Sequence, residues 1–164
     1  VTVYLPTTSM ACTPAEAAYG TWDFWVYWPN KEDVTLALVA SDTYFGDLDG
    51  YGVMLENDGA LSLYRYDGNV PTLLDGTAAA TIPEDSWVHI RVTRSALGMW
   101  NVYYDIGAGW VAGPMATDAT YVESDYITLQ TFSSGAMLDL GNARSDRAFL
   151  KWHGVVTPIY MAPR

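Results

Sequence analysis

The sequence predicts an all-β chain folded as a two-sheet antiparallel sandwich. Three observations carry this. Apolar residues recur at spacing two in most long segments, as they do where one face of a strand is buried. Turn signals rich in Gly, Asn and Asp separate about ten or eleven short segments at near-regular spacing. Aromatic residues reach 14%, and no long helical run of Ala, Leu, Glu and Lys interrupts the pattern.

Trp22, Phe24, Val26 and Trp28 alternate with Thr21, Asp23, Trp25 and Tyr27, so residues 20–28 read as a strand. Val34 to Ser41 is apolar on both faces and reads as a central strand. Residues 51–56 and 60–66 flank Asn57-Asp58-Gly59, a hairpin signal in which Gly supplies a positive φ. Val70 to Asp75 follows the turn Asp67-Gly68-Asn69. In Trp87 to Thr93, Val88, Ile90 and Val92 face one way and His89 and Arg91 the other. Trp100, Val102, Tyr104 and Ile106 share a face in the next strand, reached through a turn at Gly98. Segments 127–132, 136–140 and 148–153 complete the set. Only Pro14 to Ala18 and Thr117 to Ser124 have room for a helical turn, and Gly107 to Tyr126 reads as a long, weakly patterned loop. The expected core is Trp22, Phe24, Val26, Leu36, Leu38, Val53, Leu55, Leu61, Leu63, Val88, Ile90, Val92, Val102 and Tyr104.

A chain of 164 residues suits one domain, 1–164, with short attachment segments at 1–6 and 157–164. Hydrophobic residues at 50% against charged residues at 16% exclude disorder. No apolar run is long enough to insert across a membrane as a helix, and Val1 to Pro6 shows no leader pattern. Eight basic and nineteen acidic residues give a net charge of −11, which disfavours nucleic acid as a partner. Cys12 is the lone cysteine, so no intramolecular disulfide forms.

The order of motifs is distinctive. Tyr19-Gly20-Thr21-Trp22-Asp23-Phe24 opens it, and Gly52 to Leu55 with Leu61 to Arg65 makes the hairpin. Trp87-Val88-His89-Ile90-Arg91-Val92-Thr93-Arg94 then leads through Gly98 to Trp100 to Asp105, and Met137 to Gly141 closes the run. This resembles the laminin-G-like branch of the concanavalin A-like jelly rolls, over roughly residues 19 to 156. The version opening with Tyr-Gly-Thr-Trp is similar to laminin-G-like domains in virion proteins of tailed phages. On that resemblance Trp87 is expected to close one end of the core. The fold hosts lectins, glycanases, adhesion modules and capsid proteins, so activity must be argued from the site.

A glycanase on this fold needs the carboxylate pattern Glu-x-Asp-x-x-Glu. Here Glu56-Asn57-Asp58-Gly59-Ala60-Leu61 places Leu61 where the third carboxylate belongs, across a turn, so the chain is read as no enzyme. Cys12, His89 and His153 form no sequence-level nucleophile or metal motif. Gly107 to Gly113 lacks the Lys and the helix of a phosphate loop. No cofactor is required. Ca²⁺ is the one candidate, since the resemblance brings Asp-loop calcium sites with it. Asp47 and Asp49, beside Asp42 and Gly50, are the pair that would hold it, and a plain Asx-rich turn is the competing reading.

Surface aromatics are the candidate partner-binding residues: Trp25 and Tyr27 on the outer face of their strand, Tyr44 and Tyr51 beside the Asp loop, and Trp110 in the long loop. The first reading is a structural virion module, a capsid decoration, head fibre or tail component that touches other virion proteins or a second copy of itself. The alternative is a lectin domain recognising surface glycans, with or without Ca²⁺, at a cell surface or outside the cell.

Overall fold

The structure is a computed structural model that describes residues 2–4, 9–14, 18–28, 33–42, 47–68, 70–131, 137–139, 148–152 and 155–159. The first six-stranded sheet runs from edge to edge through β1 (Thr2–Tyr4), β12 (Met137–Asp139), β3 (Gly20–Trp28), β8 (Ser86–Arg94), β9 (Met99–Asp105) and β10 (Val111–Thr117). The second runs through β2 (Ser9–Pro14), β11 (Tyr126–Thr131), β4 (Val34–Ala40), β5 (Gly50–Leu55), β6 (Leu61–Asp67) and β7 (Val70–Gly76). A separate hairpin of β13 (Ala148–Trp152) and β14 (Val155–Ile159) packs through β13 against β3. Every described pairing is antiparallel, and no helix occurs among the described residues.

The spacing-two pattern places the core. Trp22, Phe24, Val26 and Trp28 are buried while the residues between them are half-buried. Val88, Ile90 and Val92 on β8 and Trp100 and Val102 on β9 join them from the same sheet. Leu36, Leu38, Val53, Leu55, Leu61 and Leu63 meet them from the other sheet. Each large side chain so buried contributes on the order of 1.5–3 kcal/mol. β4 is buried along its whole length, as a central strand should be. Its Ala37 and Ala40 form a second cluster with Leu48 and Tyr66.

Five expectations change. Tyr104 is half-buried at the rim of the core. Ile106 is exposed, because β9 ends at Asp105. Trp87 pairs with Tyr27 across β3 and β8 and so shares its outward face, where the two rings tilt together at 5.5 Å. The long loop holds a whole strand, β10, which carries a bulge between Ala112 and Met115. Thr117 to Ser124 forms no helical turn. Of the expected attachment segments, Thr2–Tyr4 is the edge of the first sheet and 157–159 lie in β14; residues 1, 5, 6 and 160–164 are outside the described residues.

Candidate functional site

The outer face of the first sheet collects polar and aromatic side chains by cross-strand register. Asp23 pairs with Arg91 and Trp25 with His89 between β3 and β8; His89 then pairs with Asp105 and Arg91 with Tyr103 between β8 and β9. Residues paired in this way share a face. The Arg91 guanidinium donates to Asp23 Oδ2 from Nε at 2.8 Å and from Nη2 at 2.6 Å. His89 Nε2 meets the other oxygen of the same carboxylate. Asp23 therefore holds both side chains through one carboxylate.

Trp110 completes the group from the turn after β9. Asp105 Oδ1 accepts from Gly107 N at 2.7 Å and Gly109 N at 2.9 Å. Both glycines have left-handed backbones, at φ 101° and 99°, which few other residues would adopt. Those two bonds hold the Asp105 carboxyl below its ordinary value. The turn delivers the Trp110 indole to 4.5 Å from the His89 ring and 4.4 Å from the Arg91 guanidinium carbon. On its other side His89 stacks on Trp25 at 4.3 Å, with the rings 14° apart. Trp110 remains 41% exposed and the Arg91 side chain also 41%. The result is a fixed indole, open to solvent, beside a carboxylate, a guanidinium and an imidazole.

Of the residues expected to bind a partner, Trp25 and Trp110 thus share one group, and Tyr27 lies two residues along β3 on the same face. Trp25 and Tyr27 are half-buried. Tyr51 is a correction: it is fully buried, because it points into the core against Trp100 at 4.9 Å. Its hydroxyl donates to Asp118 Oδ1 at 2.5 Å. Tyr44 lies outside the described residues. Sequence reasoning missed Asp23, His89 and Arg91, although all three occupy the polar positions of β3 and β8.

The calcium pair, Asp47 and Asp49, stands in two different surroundings. Asp49 Oδ1 accepts from Gly68 N at 2.7 Å and from the Tyr121 hydroxyl at 3.2 Å, while Asp47 is exposed. No group of three His, Cys, Asp or Glu side chains among the described residues is placed to hold a metal ion. The carboxylates weighed for glycanase chemistry are turn groups. Asp58 Oδ1 accepts from Ala60 N at 2.9 Å, Glu56 Oε1 accepts from the Tyr64 hydroxyl at 3.1 Å, and Leu61 is in the core.

No protein-family model matches the sequence, and no curated protein matches it. Solved structures share its architecture. The carbohydrate binding module CBM66 from Bacillus subtilis superposes with a TM-score of 0.64 at 10% identity, covering 84% of this chain and 80% of that one. The exoplasmic/lumenal domain of VIP36 in its Ca²⁺/Man3GlcNAc-bound form gives a TM-score of 0.63 at 14% identity, covering 87% and 81%. A tetrameric galectin from the ball sponge Cinachyrella sp. gives 0.56 at 13% identity, covering 93% and 100%. These likenesses establish the fold: a two-sheet concanavalin A-like jelly-roll sandwich. The virion setting has no counterpart among these neighbours.

Proposed function

We propose that the chain is a non-enzymatic carbohydrate-binding module, acting at a cell surface or outside the cell. The observation that carries this reading is the fixed, half-exposed indole of Trp110 beside Asp23, His89 and Arg91. A sugar ring presents a C–H face that packs on an indole, while its hydroxyls bond to charged side chains around the rim. Solved domains with the same sandwich supply the precedent, since one is a carbohydrate binding module and another is bound to Man3GlcNAc. The charges in the group nearly cancel, and the chain carries −11 overall, so a neutral glycan suits it better than an acidic one.

A glycan array followed by titration of the retained sugar tests this, using the wild type and Trp110→Ala. Loss of a stacked ring worth about 1.5 kcal/mol corresponds to roughly a tenfold weaker affinity. The expected result is retention of one neutral glycan class and that loss in the variant. Retention of no glycan, or unchanged affinity in Trp110→Ala, overturns the reading. A chelator arm, with Ca²⁺ added back to wild type and Asp49→Asn, shows whether Asp47 and Asp49 take any part.

A further inference from the structure

We infer that the narrow wall of the sandwich formed by β7 and β10 is where two copies of this chain meet. β7 ends the second sheet and β10 ends the first, so each is an edge strand, and the two pack against each other along the same side. Asp75 Oδ2 on β7 accepts from Met115 N on β10 at 2.7 Å, which ties the edges together. Along this wall Val70 is 62% exposed, Leu73 55%, Val111 43% and Met115 64%. Edge strands of monomers are guarded by charged side chains, prolines or bulges. Here residues 68–74 and 106–117 contain no charged residue, on a chain whose net charge is −11.

That charge pattern selects the occupant. Two copies of a strongly acidic chain repel wherever their carboxylates approach. They approach most easily through a wall that is mostly apolar and whose one carboxylate, Asp75, is already engaged by Met115 N, and a two-fold contact lays the same wall on itself. A basic partner would call for an acidic surface, which this wall is not. Extension of the sheet across the contact is blocked near the middle of β10, where Pro114 and the bulge interrupt the ladder and the Met115 N–H is already given to Asp75. Association therefore works through side chains. Two seven-residue strands make a wall on the order of 20 Å long. That puts the contact near the lower end of stable interfaces, about 1,000 Å² in total, and makes the dimer reversible. The inference stands apart from the glycan reading, because the sugar group lies on the outer face of the first sheet and none of these four side chains belongs to it.

Sedimentation velocity over a micromolar concentration series tests it, on the wild type, Met115→Glu, Leu73→Glu and Val122→Glu. Val122 is 62% exposed in the loop after β10 and belongs to neither edge strand, so it adds the same charge outside β7 and β10. The wild type and Val122→Glu are expected to pass from one copy to two as concentration rises. Met115→Glu and Leu73→Glu are expected to associate at least tenfold more weakly, with an unchanged dichroism spectrum. A wild type that stays monomeric throughout overturns the inference. So does association of folded Met115→Glu or Leu73→Glu equal to wild type, or equal weakening by Val122→Glu. The two wall variants lie on different strands, so one that misfolds leaves the other to decide.

Discussion

Asp118 and Asp105 show how single carboxylates hold this molecule in shape. Asp118 accepts from the Tyr51 hydroxyl on one oxygen and from Arg65 Nη1 at 2.7 Å on the other, and Thr120 N adds a bond at 2.9 Å. Burial alone would raise its carboxyl, but the bonds from Tyr51, Thr120 and Arg65 outweigh burial and hold it well below the usual range. A carboxyl depressed in the fold stabilises above its unfolded value, near 3.9, and that contribution fades as pH falls through the folded value. Asp118→Asn is expected to cost about 2 kcal/mol at neutral pH, the worth of a charged hydrogen bond. The gap from wild type should narrow below about pH 4, as urea unfolding at pH 7 and pH 3 would read. An equal gap at both pH values refutes the assignment. Asp105 acts on the proposed sugar group through the turn that carries Trp110. Asp105→Ala should weaken glycan affinity several-fold with little change in melting temperature; unchanged affinity would show that Trp110 holds its place without the turn bonds. Trp25 and Trp110 were legible in the sequence as surface aromatics. Asp23, His89 and Arg91 were not, since their meeting depends on the register between β3 and β8. Tyr51 was misread because its position beside an Asp-rich loop outweighed its own place on a core-facing strand.

At the scale of elements, alternation was legible wherever a strand has one wet face and one dry one. β3 follows it residue by residue, and β8 does so from Trp87 onward. β10 defeats it for a physical reason: both of its faces reach solvent, and Gly113 and Pro114 sit in its bulge. An edge strand with little to bury has no period to display. The turn joining β8 to β9 was legible as Gly98 and is more constrained than the sequence suggests. Gly98 has φ 79°, and a Cβ there would lie 2.5 Å from the Asp118 carbonyl oxygen and 2.7 Å from the Ala119 Cβ. Arg94, at the end of β8, is buried and reaches the same loop, donating to the Tyr121 carbonyl at 2.7 Å. Gly98→Ala therefore strains the turn and pushes on the segment that Arg94 and Asp118 anchor. The expected cost is about 1–3 kcal/mol, measured as a lower midpoint in thermal or urea unfolding. An unchanged midpoint would mean that the 118–121 segment yields freely.

For the whole molecule, the balance of charge decides how copies behave toward each other. The chain carries −11, yet its β7–β10 wall is mostly apolar, and its one charged residue, Asp75, is engaged by Met115 N. If copies meet there, the attraction is hydrophobic and short-ranged, while the repulsion comes from carboxylates spread over the rest of the surface. Salt acts on the two unequally. The screening length falls from about 30 Å at 0.01 M to about 8 Å at 0.15 M, which removes most repulsion between exposed charges of neighbouring copies. Apolar contact is not weakened by that screening. Dimerisation should therefore strengthen as sodium chloride rises over this range, and Met115→Glu should recover part of its lost association. Ion pairs across the contact would give the opposite slope, since screening weakens them. Binding of a neutral glycan, which carries no net charge to screen, should stay nearly constant over the same series. Sedimentation and glycan titration in matched buffers read both slopes, and a dimer that dissociates with added salt would rule out the β7–β10 wall as its interface.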